Sequence, residues 1–437
     1  MRSDAGLTPE RRILTIVPTS ATVIANMIGT GIFTTTGLMV SMGAGAGDIL
    51  LGWFLGGIIA FCGALCYGEL GANLPHSGGE YFYLTRLLHP SLGFVTGWVE
   101  LIVGFAAPIA AVAMGLNLYL GTVIAGWPVR IMAAVMIIGI AALHSYDLQM
   151  GSRVQSALTI MKVILIVLFI AGVFFSPQPA PANAFNLNPD FLFSSAFAVV
   201  LVFVSFAYSG WNAAAYIGAD LRNPERTLPW ASLIGTGTVA AIYVMLNVSY
   251  LTVVPNAELA GVEEVGNVVA TRLWGPAGGN IVSLLISVTL LCPLSAMVLV
   301  APRMAEAMSN DGLLPAVLGK LNRRNVPANA VMFIAVISAM ITMTSSFERL
   351  VIYIGFTLNI FAALAVIALI RLRQTGQSRH KTCVGYPFTP IVFLIFTVWM
   401  TVWSIQSQPV ATLTALATLA VVFIVYLFRS KKTPVAI

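Results

Sequence analysis

The sequence carries very little charge and has no polar stretch long enough to form a soluble domain. Only 9% of its 437 residues are charged and 58% are hydrophobic, whereas a soluble globular protein carries about 25% charged residues. No water-soluble core could hide this much apolar surface, so the composition excludes a soluble enzyme or binding module. It predicts an integral membrane protein in which residues 1–437 form one transmembrane unit.

Cysteine and histidine are also scarce, with four residues of each type. Cys62, Cys66, Cys292 and Cys383 lie in or beside apolar segments, so they are predicted to be free packing residues. No spacing of potential ligands indicates a metal site, and no nucleophile–base pair is visible. The sequence therefore argues against an enzyme and predicts neither a cofactor nor a metal.

Runs of about 18 or more apolar residues mark membrane spans, and an even number of spans places both termini on one side. With both termini inside, only Arg130, Arg272 and Arg349 of the 22 basic residues fall outside. This positive-inside bias predicts cytoplasmic termini in the plasma membrane and accounts for the net charge of +6 without a nucleic-acid partner. The twelve predicted spans are about 13–40, 48–71, 91–119, 128–146, 154–175, 191–218, 230–254, 280–307, 328–345, 349–371, 386–404 and 410–428.

The first span contains an unusual stretch, NMIGTGIFTTTG, with three glycines and four threonines in residues 26–37. Glycine weakens a helix interior, and a bilayer penalises unpaired backbone groups unless they line a cavity. The stretch therefore predicts a break at Gly29-Thr30-Gly31. A matching interruption, Ser209-Gly210, lies in the sixth span within SFAYSGWNAAAY.

These two interruptions open two blocks of five spans that have opposite orientations in the membrane. Matching breaks in such blocks are typical of inverted-repeat transporters. The predicted repeats cover about residues 13–175 and 191–371, and two extra helices follow at about 386–428. The symmetry is one of position, since the two blocks show no clear residue-level identity.

A broken helix exposes amides at the start of one half and carbonyls at the end of the other. The amide end attracts a carboxylate and the carbonyl end attracts an ammonium group, and an amino acid carries both groups on one carbon. The alternative is that the glycines only allow close helix packing. The predicted contacts are the amides of Thr30, Gly31 and Ile32, the carbonyls of Asn26, Met27 and Ile28, and the carbonyls of Phe206 and Ala207.

Several motifs resemble signatures of the amino acid–polyamine–organocation (APC) transporter superfamily. They are MIGTGIF in span 1, YGELGANLPHSGGEYFYL and HPSLGFVTGWVE around spans 2 and 3, FAYSGWNAAAYIGADLRNPERTLPWA in and after span 6, and PRMAEAMSNDGLLP after span 8. FAYSGWN is most similar to the L-type amino acid transporter group and its prokaryotic relatives. Ser209 stands where that group commonly has glycine, and IGADL differs from the frequent TEEL. The resemblance implies an all-α, LeuT-like fold of 5+5 inverted repeats with twelve transmembrane helices, of which the first and sixth are broken.

Lys162 lies about 13 Å along its apolar helix from Arg153 at the predicted inner end. A charge at this depth is usually functional, although a lysine can also extend its side chain toward the surface. The resemblance implies that the Lys162 ammonium takes the place of a sodium ion of related transporters and binds span 1 carbonyls. Glu100 is predicted either to pair with Lys162 or to face an inner vestibule. Glu69 and Asp220 are predicted to pair with Arg86, Arg222 or Arg226.

The resemblance also implies roles for residues beside the span 6 break. Phe206 would be an aromatic gate over the substrate, and Ser209 would touch the substrate. Trp211 and Asn212 would stabilise the break, with the Asn212 amide satisfying freed backbone groups. Residues 120–128 contain no cysteine, so no disulfide-linked partner subunit is expected.

Three functions follow from these observations. The first is a sodium-independent transporter of neutral amino acids, working by exchange or proton symport. The second is an antiporter of amines or polyamines, which is disfavoured because residues 24–36 and 203–216 contain no acidic side chain. The third is a membrane sensor, which would usually carry a soluble output domain.

Overall fold

The computed structural model describes residues 14–75, 79–146, 151–176, 182–218, 221–310, 312–323 and 326–430. Within these ranges the secondary structure is helical except for one isolated β-bridge between Leu14 and Leu221. The helices are α1 (Ile16–Met27), α2 (Gly31–Ser41), α3 (Ala46–Asn73), α4 (Gly79–Leu87), α5 (Pro90–Val99), α6 (Ala107–Val123), α7 (Val129–Tyr146), α8 (Gly151–Phe175), α9 (Pro189–Leu192), α10 (Ser195–Tyr208), α11 (Ala213–Tyr216), α12 (Pro224–Val253), α13 (Asn256–Leu259), α14 (Val265–Asn310), α15 (Ala328–Thr344), α16 (Phe347–Gln374), α17 (Phe388–Ser407) and α18 (Pro409–Ser430).

Seven helical stretches of the described chain are long and apolar enough to cross a membrane, counting α5 and α6 as one stretch. The bent pair α1 and α2 makes an eighth. Four shorter apolar helices, α7, α8, α10 and α15, occupy the positions of the remaining predicted spans. The protein is therefore an all-helical, multi-pass membrane protein, and its twelve crossings stay a prediction.

Glycine allows α3 to pack closely on the two helices beside it. A Cβ atom on Gly56 would lie 2.1 Å from Val204 Cγ1 of α10, and one on Gly68 would lie 3.1 Å from the Pro229 Cα atom of α12. Small residues permit such close approach between helices in a membrane. This packing fixes both α10, which ends at the second break, and α12 against α3.

A π-helical segment, Glu100–Ala106, joins α5 to α6. The Ala107 N–H bonds to the Ile102 carbonyl, and the Pro108 nitrogen carries no hydrogen for a helix bond. Single π-helical turns inside α-helices are often found at functional sites. Glu100 is the first residue of this wider turn.

Segments that follow later helices form hydrogen bonds to the early helices α2 and α3. On the predicted outer side, the Gly261 N–H donates to the Gly37 carbonyl of α2 at 2.9 Å. On the predicted inner side, the Glu69 carboxylate at the end of α3 accepts from Arg373 of α16, Ser378 Oγ and the Cys383 N–H. The predicted partners of Glu69 were wrong, because Arg373 lies 304 residues away in sequence and outside any local pattern. Asp220 lies outside the described residues.

Candidate functional site

The first break lies between α1 and α2, which meet at an angle of 41°. Ile28, which follows α1, has an extended backbone with φ −76° and ψ 93°. No side chain caps the start of α2 at Thr30. The first amides of α2 therefore have no side-chain acceptor, and the last carbonyls of α1 cannot bond along the helix.

The second break follows α10. Ser209 has φ −52° and ψ 145°, and Gly210 has φ 103°. This left-handed region strains any residue with a Cβ atom, so glycine is required at this position. A short helix, α11, resumes at Ala213.

The two breaks contact each other through their backbones. A Cβ atom on Gly31 would lie 2.6 Å from the Ala207 Cα atom, and one on Gly210 would lie 2.9 Å from the Asn26 carbonyl carbon and oxygen. Gly31 therefore packs so closely against α10 that no side chain fits at this position. Beside Gly29, by contrast, a Cβ atom would meet no atom within 4 Å.

Lys162 of α8 is fully buried and reaches the first break. Its Nζ atom donates to the Ile28 carbonyl at 2.5 Å and to the Ala25 carbonyl at 3.2 Å. No described carboxylate forms an ion pair with it. The ammonium is held inside the protein, and the predicted pairing of Glu100 with Lys162 is wrong.

Tyr243 of α12 also bonds to the breaks, a contact that sequence reasoning missed. Its hydroxyl lies 2.6 Å from the Met27 carbonyl and 3.1 Å from the Ala207 carbonyl. The one hydroxyl proton is thus shared between the ends of α1 and α10. Side chains of α8 and α12 together satisfy the carbonyls of Ala25, Met27 and Ile28.

A cavity of about 250 Å³ lies beside the breaks. Its polar lining residues are Asn26, Glu80, Glu100, Ser205, Ser209, Asn212, Tyr216 and Asn359. Phe206 and Trp211 also line it, so the structure brings six predicted residues together there. The other predicted residues do not line it: Met27, Ile28, Gly29, Thr30, Gly31, Ile32, Ala207 and Lys162.

Glu80 and Glu100 are buried in the wall of this cavity. Glu80 Oε1 accepts from the Tyr67 hydroxyl at 2.6 Å and from Asn212 Nδ2 at 3.0 Å. Glu100 Oε1 accepts from the Tyr216 hydroxyl at 2.7 Å. Glu100 thus lines the cavity, and its predicted position in an inner vestibule stays a prediction. Asn212 bonds a carboxylate, whereas the expected bonds to freed backbone groups are absent from the described hydrogen bonds.

Glu80 lies in α4, outside the membrane-spanning helices, and sequence reasoning did not single it out. Burial raises the pKa of Glu80 to about 7, although hydrogen bonds from Tyr67 and Asn212 oppose the rise. The signal that could have found it is its place in SGGEYFYL, the signature motif between spans 2 and 3. An acidic residue there lies beside the span 6 break only after folding.

Trp211 anchors the segment after the second break through aromatic contacts. Its ring meets that of Tyr67 edge-on at a centroid distance of 4.7 Å and that of Phe393 at 6.1 Å. Edge-to-face pairs of this kind stabilise by about 0.5–1.5 kcal/mol each beyond area burial. The break is therefore fixed on one side by aromatic packing and on the other by the Glu80–Asn212 bond.

Comparisons with known proteins agree with the motifs. Residues 14–428 match the family model described as amino acid permease. The chain is 29% identical over 399 residues to human b(0,+)-type amino acid transporter 1, covering 89% of this chain and 81% of that protein. It is 29% identical over 383 residues to the serine/threonine exchanger SteT of Bacillus subtilis (strain 168), covering 85% and 86% of the two chains. It is 27% identical over 410 residues to mouse large neutral amino acids transporter small subunit 2, covering 90% and 76%.

Proposed function

Because the chain belongs to the amino acid permease family of the APC superfamily, we propose that it is a secondary transporter of neutral amino acids. It carries them across the plasma membrane by alternating access and without sodium. One observation carries this proposal: two broken helices meet beside a cavity, and the start of α2 has no side-chain cap. An amino acid presents a carboxylate and an ammonium group that match such freed backbone groups.

The breaks offer the substrate fewer free groups than the sequence suggested. The carbonyls of Met27 and Ile28 already accept from Tyr243 and Lys162, although each oxygen keeps a second lone pair. The Thr30 hydroxyl is buried and has no partner. We assign the substrate side chain to the space lined by Phe206 and Ser209. The amides of Thr30, Gly31 and Ile32 do not line the cavity in this structure, so we propose that they receive the carboxylate in a conformation in which the first break opens toward the cavity.

The contacts of Lys162 support a sodium-independent cycle. A sodium ion at this position would bind carbonyl oxygens at the end of α1, and the Lys162 ammonium already donates to two of them. The Lys162 ammonium is covalently attached to the protein, so it cannot be released together with the substrate as a bound sodium ion can. Transport therefore draws its energy from exchange or from protons.

The architecture that we propose is a LeuT-like pair of inverted repeats at about residues 13–175 and 191–371, followed by helices at about 386–428. The bent pair α1–α2 and the interrupted pair α10–α11 open these two blocks, which supports the symmetry. We propose that both termini lie in the cytoplasm, since the distribution of Lys and Arg favours that orientation. No disulfide-linked partner is proposed, since residues 120–128 contain no cysteine.

A second candidate, an amine or polyamine antiporter, gains support from one observation. The cavity contains Glu80 and Glu100, and a carboxylate-lined site suits a substrate with extra positive charge. The names of the relatives favour the first candidate, since they refer to amino acids.

The test is uptake by purified protein in proteoliposomes. Each of the twenty amino acids, putrescine and agmatine is offered with and without internal amino acid, in sodium and in potassium buffer. We expect neutral amino acids to be carried equally in both buffers. A preference for an amine without a carboxylate would replace the proposal by the antiporter, and a sodium requirement would remove the role given to Lys162.

A further inference from the structure

Two carboxylates in the cavity wall have no positively charged partner among the residues that the structure describes. Glu80 is 4% exposed and Glu100 is 3% exposed. The ion pairs of the described chain are Arg272–Glu258 and Arg373–Glu69. An anion removed from water without a cation is unfavourable, and such a group commonly binds a proton instead.

Each carboxylate uses only one oxygen for hydrogen bonds within the protein. Glu80 Oε1 accepts from Tyr67 and Asn212, and Glu100 Oε1 accepts from Tyr216. No described residue donates to either Oε2 atom, and neither atom is among the fully buried atoms that lack a partner. Both Oε2 atoms are therefore partly accessible, and both residues line the cavity.

Among the described residues, the titratable groups that interact with the pair are tyrosines and the two carboxylates themselves. Glu80 interacts with Tyr67, Tyr83, Tyr216 and Glu100, and these groups come from α3, α4, α11 and the π-helical segment. Repulsion between two carboxylates disfavours the doubly ionised state. The Lys162 ammonium, which could compensate them, is engaged with α1 and does not line this cavity.

We propose that Glu80 and Glu100 share one proton that is carried with the amino acid, so that this protein is a proton symporter. The proposal rests on the proposed function and specifies how transport is driven. An O–H bond forms on an open carboxylate oxygen with a proton from water on one side of the membrane. It breaks again to water on the other side, and no electron is transferred.

The link between the proton and the moving helix is the segment after the second break. Asn212 and Tyr216 stand one turn apart and bond to the two carboxylates. A hydrogen bond to an ionised carboxylate is roughly twice as strong as one between neutral groups. Binding the proton thus weakens the hydrogen bonds of Asn212 and Tyr216 to the carboxylates, and releasing the proton strengthens them again.

The experiment measures protons and amino acids in the same proteoliposomes. A trapped pH-sensitive dye reports lumen pH, radiolabelled serine or leucine is added outside, and potassium with valinomycin holds the membrane potential at zero. We expect wild-type protein to acidify the lumen as the amino acid enters. In Glu80→Gln and Glu100→Gln, the protons moved per amino acid should fall to the level of protein-free vesicles, whereas exposed Glu225→Gln in α12 should keep the wild-type ratio.

Three outcomes overturn the proposal. Amino acid exchange by wild-type protein without acidification removes it and leaves the proposed function intact, whereas absence of any amino acid movement removes both. Acidification that persists in both glutamine variants assigns the proton to another group.

Tyr67→Phe provides a test that keeps both carboxylates. The substitution removes a hydrogen bond that stabilises the charged form of Glu80. The pKa of Glu80, which is about 7 in the wild-type protein, should therefore rise. The pH midpoint of uptake should therefore move upward. An unchanged midpoint contradicts the assignment.

Discussion

At the residue scale, the break in the first span is stabilised by two side chains from unbroken helices. Lys162 donates to Ala25 and Ile28, and Tyr243 donates to Met27. An unpaired carbonyl at membrane depth costs several kcal/mol, so a break without these donors would tend to close into a continuous helix. The two side chains hold α1 in the interrupted form.

Lys162→Ala should lower transport about tenfold or more, because it leaves two buried carbonyls without a donor. Lys162→Arg should restore little, since a planar guanidinium cannot occupy the compact ammonium position. Uptake is measured in sodium and potassium buffers with surface amounts matched. Lys320→Ala, in an exposed loop, is the control. Wild-type rates in Lys162→Ala would show that the lysine is dispensable.

Tyr243→Phe should reduce transport by a similar mechanism. It removes the hydroxyl between the Met27 and Ala207 carbonyls but keeps the ring that packs against Trp53 at 5.3 Å. The loss of one buried hydrogen bond costs about 1–3 kcal/mol, which corresponds to roughly a five-fold to hundred-fold effect. Initial uptake rates are compared with those of Tyr426→Phe on α18. Equal rates for the two variants would speak against this role of Tyr243.

At the element scale, the start of α2 and the end of α10 pack with their backbones in contact at Gly31 and Ala207. This contact, and the contact between Gly210 and Asn26, join the broken elements of the two predicted repeats. The glycine-rich motif therefore has two uses, since it breaks the first span and allows the second to approach. The close-packing alternative for the GTG motif thus describes Gly31, while Gly29 faces open space.

Gly31→Val should abolish uptake while leaving the protein in the membrane. The new side chain would overlap Ala207, whose Cα atom would be 2.6 Å from its Cβ atom, and the two breaks would be forced apart. Gly139→Val is the matched control, because a Cβ atom on this exposed glycine of α7 meets nothing within 4 Å. Uptake and surface amount are measured for both. Normal uptake by inserted Gly31→Val protein would mean that the contact is not needed.

At the scale of the whole molecule, the segment between α16 and α17 ties late helices to an early one. Glu69 is fully buried at the end of α3 and binds Arg373, Ser378 and Cys383. Cys66 and Cys383 are free thiols whose sulfur atoms lie 3.9 Å apart beside this cluster. The predicted inner end of α3 is thus a junction that links α3 to α16 and to the segment before α17.

Glu69→Gln should destabilise the protein by about 3–5 kcal/mol, because it leaves the Arg373 guanidinium without its anion in a largely buried place. Glu258→Gln breaks an exposed ion pair with Arg272 and should cost no more than about 1 kcal/mol. Thermal unfolding of both variants in the same detergent measures the difference. Equal destabilisation by the two variants would show that the buried ion pair contributes no more to stability than the exposed one.

Much of the fold was predictable because its signals are local in sequence. Apolar runs located the helices, and glycine within them located both breaks. The depth of Lys162 and the family resemblance pointed to the carbonyls of span 1. Tyr243, by contrast, meets Met27 across 216 residues, and a tyrosine in an apolar helix has no mark that distinguishes packing from bonding. Glu80 was missed for the same reason, since its neighbour Asn212 is 132 residues away.

The backbone fit between the breaks also bears on how such proteins diversify and can be redesigned. Position 31 has no room for a side chain because Ala207 fills the space, and position 210 has none because Asn26 does. A chimera with α1–α2 from one relative and α10–α11 from another would join surfaces that were not shaped for each other. Such a hybrid should fail to accumulate before it shows any new selectivity. We therefore expect a functional hybrid only when the two segments are grafted together from the same relative.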